Sequence, residues 1–102
     1  MEDIEVDELK ARLDKNEKFV FIDVREAYEY EDDNLGAWLI PLAQLPHKLA
    51  ELEAHKDEEI IIHCRSGARS GNAKQFLESK GFPKVRNVLG GILAYRELEE
   101  ED

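Results

Sequence analysis

A chain of 102 residues with a formal charge of −10, from 24 acidic against 14 basic side chains, can bury one core and repels the polyanions of nucleic acid and anionic membranes. Its single cysteine excludes an intramolecular disulfide, and three histidines without a second cysteine make no zinc pattern, so no metal is expected. The N-terminus MEDIEVDELK lacks a basic and apolar leader, and no apolar run approaches the roughly 20 residues of a membrane span, so one domain over 1–102 in a reducing cytoplasm is expected.

In residues 6–13, VDELKARL, the spacing of Val6, Leu9 and Leu13 predicts a short amphipathic helix with Asp7 as its N-cap, and Ile4 reads as a brief strand before it. Residues 19–24, FVFIDV, are apolar until Asp23, which suits a central strand covered on both faces, with Asp23 at its carboxyl end. One or two helical turns follow over 25–30. Asp32, Asp33, Asn34 and Gly36 then mark a loop before the short strand AWLI at 37–40. Pro41 and Pro46 bar a helix before Pro46, while Leu45, Leu49 and Leu52 predict one over 46–54.

Residues 60–63 predict a second buried strand and 70–80 a long helix. Gly81 can take the left-handed conformation that ends that helix, Phe82 can fold back over it, and Pro83 cannot continue it. A last strand is expected over 85–89 and a last helix over 92–98, with the acidic tail at 99–102 fraying. Helices alternating with short apolar strands imply an α/β fold with a parallel sheet covered on both faces. Ligands of such sheets settle at the carboxyl ends of the strands, where Cys64 and Asp23 stand.

The stretch IIIHCRSGARSGNAKQFL at 60–77 carries the chemistry. A thiolate attacks electrophiles and a thiol does not, and an ordinary cysteine with a pKa of about 8.5 is mostly protonated at neutral pH. Arg65 and Arg69 bring permanent positive charge, Ser66, Gly67 and Ala68 are small enough for their amides to turn inward, and the following helix adds its N-terminal partial charge. A depressed pKa for Cys64 is therefore expected. An inert buried thiol would instead have apolar neighbours on both sides, and here only the N-terminal side is apolar. His63 precedes the cysteine on an extended segment and must point to the opposite face, so it is assigned packing or hydrogen bonding. His47 and His55 are assigned no chemistry. Asp23 and Arg25, at the end of a buried strand, read as a pair that arranges the site rather than a solvated one.

With these residues in place, the chain resembles a single-domain rhodanese, a sulfurtransferase. The resemblance rests on Asp23-Val24-Arg25-Glu26 with Glu29-Tyr30, Gly36-Ala37 with Ile40-Pro41-Leu42, Cys64-Arg65-Ser66-Gly67-Ala68-Arg69-Ser70, and Asn87-Val88-Leu89-Gly90-Gly91-Ile92 before Ala94-Tyr95, in the family's order. It implies a rhodanese-like fold, a five-stranded parallel sheet with helices on both faces, and a catalytic Cys64 that carries a sulfane sulfur as a persulfide. The loop of Arg65, Ser66, Gly67, Ala68 and Arg69 would bind the anionic donor, bordered by Asp23 and Arg25. Thiosulfate or a persulfide would be the donor, a thiol or cyanide the acceptor, and no metal or organic cofactor would be needed. An acceptor protein is compatible with the acidic surface. Relatives commonly have His-Ile-Pro where this chain has Asp33-Asn34-Leu35, and Tyr95 stands where tryptophan is frequent.

Two rival readings share these residues. A phosphatase or arsenate reductase is one: related cell-cycle phosphatases wrap a phosphate in a cysteine-arginine loop one residue longer, whereas the tighter loop here suits one bound sulfur, and no aspartate is an evident leaving-group acid. A catalytically silent docking or regulatory module is the other reading; such modules often lose the cysteine that this chain keeps.

Overall fold

The computed structural model describes residues 1–101. Four parallel strands, β1 (Val20–Asp23), β2 (Trp38–Leu39), β3 (Ile60–His63) and β4 (Val85–Asn87), lie in the order β2-β1-β3-β4. The helices are α1 (Val6–Asp14), α2 (Ala27–Asp32), α3 (Leu49–Leu52), α4 (Ala68–Ser79) and α5 (Gly91–Glu101). All four residues of β3 are buried. Because side chains alternate along a strand, Ile60, Ile62 and Cys64 join one core with Leu52, Ala73, Leu77 and Phe82, while Ile61 joins the other with Leu9, Val88 and Tyr95. The first core packs beneath α3 and α4 and the second beneath α1 and α5, so the sheet is covered on both faces. Each fully buried Leu, Ile or Phe contributes about 1.5–3 kcal/mol of transfer free energy.

The fifth strand implied by the resemblance is reduced to one residue. Ile4 bridges Val88 in parallel, donating its N–H to Asn87 O at 3.0 Å and accepting from Leu89 N at 3.0 Å. Register places the carboxyl ends of the strands side by side: Asp23 pairs with His63, and Ile62 pairs with Asn87. Cys64 leaves the sheet between them.

Several boundaries differ from the sequence expectation. Asp7 is not the N-cap of α1; Glu5 holds that position without a side-chain cap, and Asp7 with Glu8 lies in the first turn, where negative charge complements the helix dipole. The helix expected over 46–54 is broken into a 3-10 segment at Leu42–Lys48, the single turn α3, and a second 3-10 segment at Glu53–His55. Pro46 lies inside the first segment, where its missing N–H and its ring preclude an α-helical bond pattern. Leu45 and Leu52 are buried all the same. Helix α4 begins at Ala68 rather than at 70, and its stop follows the expected chemistry: Gly81 has φ +90°, donates to Glu78 O at 3.0 Å, and Phe82 donates to Leu77 O at 3.1 Å. Helix α5 runs to Glu101 where fraying was expected, with Arg96 donating to Glu99 at 2.6 Å; Asp102 lies outside the described residues. Among the described residues no helix is long and apolar enough to cross a membrane.

Candidate active site

Between β3 and α4 the backbone closes around the sulfur of Cys64. Gly67 N–H donates to Sγ at 3.1 Å, Ser70 N–H at 3.4 Å, and the Ser70 hydroxyl lies 3.2 Å away. Gly67 has φ +106°, a left-handed conformation that glycine alone adopts at little cost, and it brings the amide inward at the N-cap of α4. The loop's carbonyls face the other way. Cys64 O accepts from Ile92 N at 3.0 Å and Arg65 O from Leu93 N at 3.2 Å, so the first turn of α5 spends two of its free amides on holding these peptides.

Burial pushes the Cys64 thiol up, but the Ser70 hydroxyl and the amides of Ser70, Gly67 and Ser66 pull it down and prevail, leaving the pKa below the ordinary value. The expected direction holds. The principal agents are hydrogen bonds rather than the two guanidinium groups invoked from sequence. Cys64 is 1% exposed: its inner side rests on the apolar core, and its outer side meets donors. Arg65, Ser66 and Ala68 of the loop that follows are exposed.

Arg69 faces Glu29 of α2, donating from Nη1 at 2.7 Å and Nη2 at 2.9 Å in a forked pair. That pair holds the Glu29 carboxyl at about 2. Much of the charge expected to act on the sulfur is thus met by a carboxylate. The Arg65 guanidinium has no hydrogen-bond or ion-pair partner among the described residues, and it lines a cleft of about 230 Å³ with Arg25, Tyr28, Glu29 and Leu93.

Asp23 is fully buried and Arg25 is 4% exposed. The Arg25 guanidinium reaches Asp23 Oδ2 from Nη2 at 2.8 Å and both oxygens from Nε at 3.1 Å, and its backbone N–H donates to Oδ1 at 2.9 Å. Nη2 also donates to Asp33 O at 2.7 Å, which fastens the end of α2 to the end of β1. The pair is therefore buried and structural, and Arg25 borders the cleft. The carboxylate of Asp33, where relatives commonly carry histidine, is matched by Arg96 of α5 at 2.9 and 2.7 Å. Tyr95 fills the second core at 6% exposure.

His63 is fully buried on the face opposite Cys64, its ring 5.3 Å from that of Phe21. Nδ1 lies 3.3 Å from Cys64 O, and since a carbonyl only accepts, Nδ1 carries the proton. Nε2 is then left without a partner, 3.5 Å from Asp23 Oδ2. Burial pushes the His63 pKa below the usual range against the pull of Asp23. Both His63 and Glu29 have depressed values, so each contributes stability that is present above its unfolded pKa, about 6.5 and 4.3, and lost as pH falls through the folded value. Urea titrations are expected to show a two-stage decline in the midpoint on acidification below about pH 7. His63→Gln should remove the first stage, and Glu29→Gln part of the second, which Asp3, Asp33 and Glu59 share.

Three contributors, Ser70, Asn87 and Glu29, stood among the residues that carry the resemblance but were given no role at the site from sequence. Ser70 looked like a helix-start residue, and Glu29 serves visibly as the N3 half of a capping box with Glu26. Asn87 carried the better signal, a polar residue at the carboxyl end of a buried strand, the same signal by which Asp23 and Cys64 were recognised.

A family model described as "Rhodanese-like domain" matches residues 5–98. The tRNA uridine(34) hydroxylase of Cronobacter sakazakii is 37% identical over 99 residues, covering 92% of this chain and 28% of that relative. The chain thus spans little more than a quarter of the curated relatives it matches. The crystal structure of a rhodanese-like domain protein from Staphylococcus aureus is similar with a TM-score of 0.83 at 33% identity, over 93% of this chain and 91% of that one. A Rhodopseudomonas palustris protein described as a possible tyrosine phosphatase superposes with a TM-score of 0.87 over 97% of this chain and 82% of its own, but at 21% identity it shares the fold alone. A parallel sheet with a cysteine cradle at its carboxyl edge, a family match over most of the chain and a neighbour of the same size converge: this chain belongs to the rhodanese-like domain family.

Proposed function

We propose that Cys64 is the nucleophile of a sulfurtransferase that takes a sulfane sulfur from an anionic donor such as thiosulfate or a persulfide. The observation that carries this reading is the convergence of two amides and a hydroxyl on one sulfur atom, which stabilises the attacking thiolate. The thiolate attacks the outer sulfur of thiosulfate. A new S–S bond forms as the old one breaks, and sulfite leaves with the bonding electron pair. Cyanide or a thiolate then attacks the outer sulfur of the Cys64 persulfide and restores the Cys64 thiolate. No net oxidation of the protein occurs over the cycle, and with one cysteine among these 102 residues the sulfur leaves to an acceptor outside this domain.

Because Cys64 is 1% exposed, the chain around it must shift to admit the donor. Arg65, the unpaired guanidinium, is the group that attracts it. The four residues between Cys64 and Arg69 favour a sulfur atom over a phosphoryl group in the cradle. The curated relatives' name refers to tRNA, yet a charge of −10 argues against RNA as a ligand of this domain itself.

Intact mass spectrometry after thiosulfate treatment tests the proposal. One added sulfur, removed by cyanide and absent from Cys64→Ser, is expected; hydrolysis of an aryl phosphate without any adduct would favour the phosphatase, and neither activity a docking module. Arg69→Ala is expected to raise the thiolate pKa, read by ultraviolet absorbance, by less than about one unit, because the guanidinium is bonded to Glu29 and makes no hydrogen bond to Sγ.

A further inference from the structure

The Ser70 hydroxyl has two acceptors and one proton. It lies 3.2 Å from Cys64 Sγ and 2.5 Å from Asn87 Oδ1, and Ser70, Cys64 and Asn87 are 0%, 1% and 8% exposed. The orientation of the Asn87 amide is determined: its Nδ2 donates to Gly67 O at 3.1 Å, an atom that can only accept, so Oδ1 must face Ser70. When Cys64 is a thiol, every group is satisfied by the chain Cys64 S–H to Ser70 Oγ, and Ser70 O–H to Asn87 Oδ1. When the sulfur is ionised the Ser70 proton must turn to it, and Asn87 Oδ1 is left as a nearly buried acceptor without its donor.

We infer that Asn87 is a positioning residue that sets the proton affinity of Cys64 by competing with the sulfur for the single Ser70 proton. The competition keeps the thiolate from being held too tightly, and a thiolate of higher proton affinity is the stronger nucleophile. It also favours the loaded state. In the persulfide the negative charge moves to the outer sulfur, Sγ becomes neutral, and the Ser70 proton returns to Asn87. The other charged groups nearby are Arg69 of α4 with Glu29 of α2, Arg65 of the loop, and Asp3 with Lys74, of which Asp3 also accepts from the Asn87 backbone. None of them hydrogen-bonds to Ser70 or to Sγ among the described residues.

This inference rests on the proposed use of the Cys64 thiolate, but its test needs no sulfur donor: ultraviolet titration of the thiolate in the full chain. Asn87→Leu keeps the branched shape and removes the acceptor, and Gly67 O remains bonded to Gly71 N at 3.0 Å. The thiolate pKa is expected to fall by about one unit, a tenfold rise in the thiolate fraction below the midpoint. Asn87→Asp, which holds the Ser70 proton more strongly and adds negative charge, should move it up. In a Ser70→Ala background the fall caused by Asn87→Leu should vanish, since the two act through one proton. A loosened loop would instead raise the pKa in both variants by weakening the amide contacts. An unchanged or raised value in Asn87→Leu, or the same fall with and without Ser70, would overturn the inference even if sulfur loading proceeds as proposed.

Discussion

Asp23→Ala is expected to lower the unfolding free energy by about 3–5 kcal/mol, a large part of the roughly 5–15 kcal/mol available to a domain of this size. The carboxylate is fully buried and meets the Arg25 guanidinium from Nε and Nη2 and the Arg25 backbone from N. Truncation leaves a guanidinium that is 4% exposed with only the carbonyls of Asp33 and Glu29 for company, at 2.7 and 3.4 Å. The loss comes less from the missing attraction than from the stranded charge. A double substitution, Asp23→Leu with Arg25→Met, should therefore be less damaging than Asp23→Ala alone. Urea unfolding followed by circular dichroism measures both; a loss below about 1 kcal/mol for the single change would show that water or a shifted Arg25 compensates.

Gly91→Ala should be comparably severe, and it acts on the site as well as on stability. Gly91 has φ +61°, and a Cβ there would lie 2.6 Å from Cys64 O and from Arg65 C, and closer still to Arg65 O. These are backbone atoms of the cradle, which cannot swing aside as a side-chain tip can. Any displacement turns the peptides that Ile92 and Leu93 hold by their N–H groups, and so misaims the amides on the opposite edge of the same loop. A loss of several kcal/mol or a thiosulfate loading rate reduced about tenfold or more is expected, a misplacement of about 1 Å being sufficient for such a rate loss. Gly36→Ala is the control: it has φ +80° but nothing within 4 Å, so it should cost only the left-handed strain of about 1–2 kcal/mol and leave loading unchanged. Equal effects in the two variants would mean that backbone strain, not crowding of the cradle, is what matters at Gly91.

The strands were legible because continuous apolar runs bounded by polar residues have few other places to go. β3 matches the expected 60–63, and β1 lies within the expected 19–24. The stop of α4 was legible for a different local reason, since Gly81, Phe82 and Pro83 each act on the backbone within one turn. Leucine spacing at 45, 49 and 52 identified the inward face of its segment, with Leu45 and Leu52 buried and Leu49 half-buried, but not the backbone that presents it. Pro46 and the packing of Leu45 and Leu52 against the sheet together select 3-10 turns, and spacing alone cannot weigh those terms. The reduction of the fifth strand to Ile4 likewise depends on an edge partner 84 positions away at Val88, beyond the reach of any local pattern.

Taken alone, the sequence determined that apolar runs alternate with helices in a parallel α/β arrangement, that its one thiol sits at a strand's carboxyl end, and that small residues follow it into a helix. Those are properties of neighbours along the chain, governed by side-chain period and turn chemistry. Only the folded molecule decided which groups address the sulfur. Arg69 was drawn off by Glu29, His63 was turned toward Asp23 on the far face, and Ser70 was given Asn87 as a second acceptor. Each of these pairings joins segments brought together by sheet register and helix packing, and electrostatic and hydrogen-bond partners are set by distance in space rather than by order in the chain.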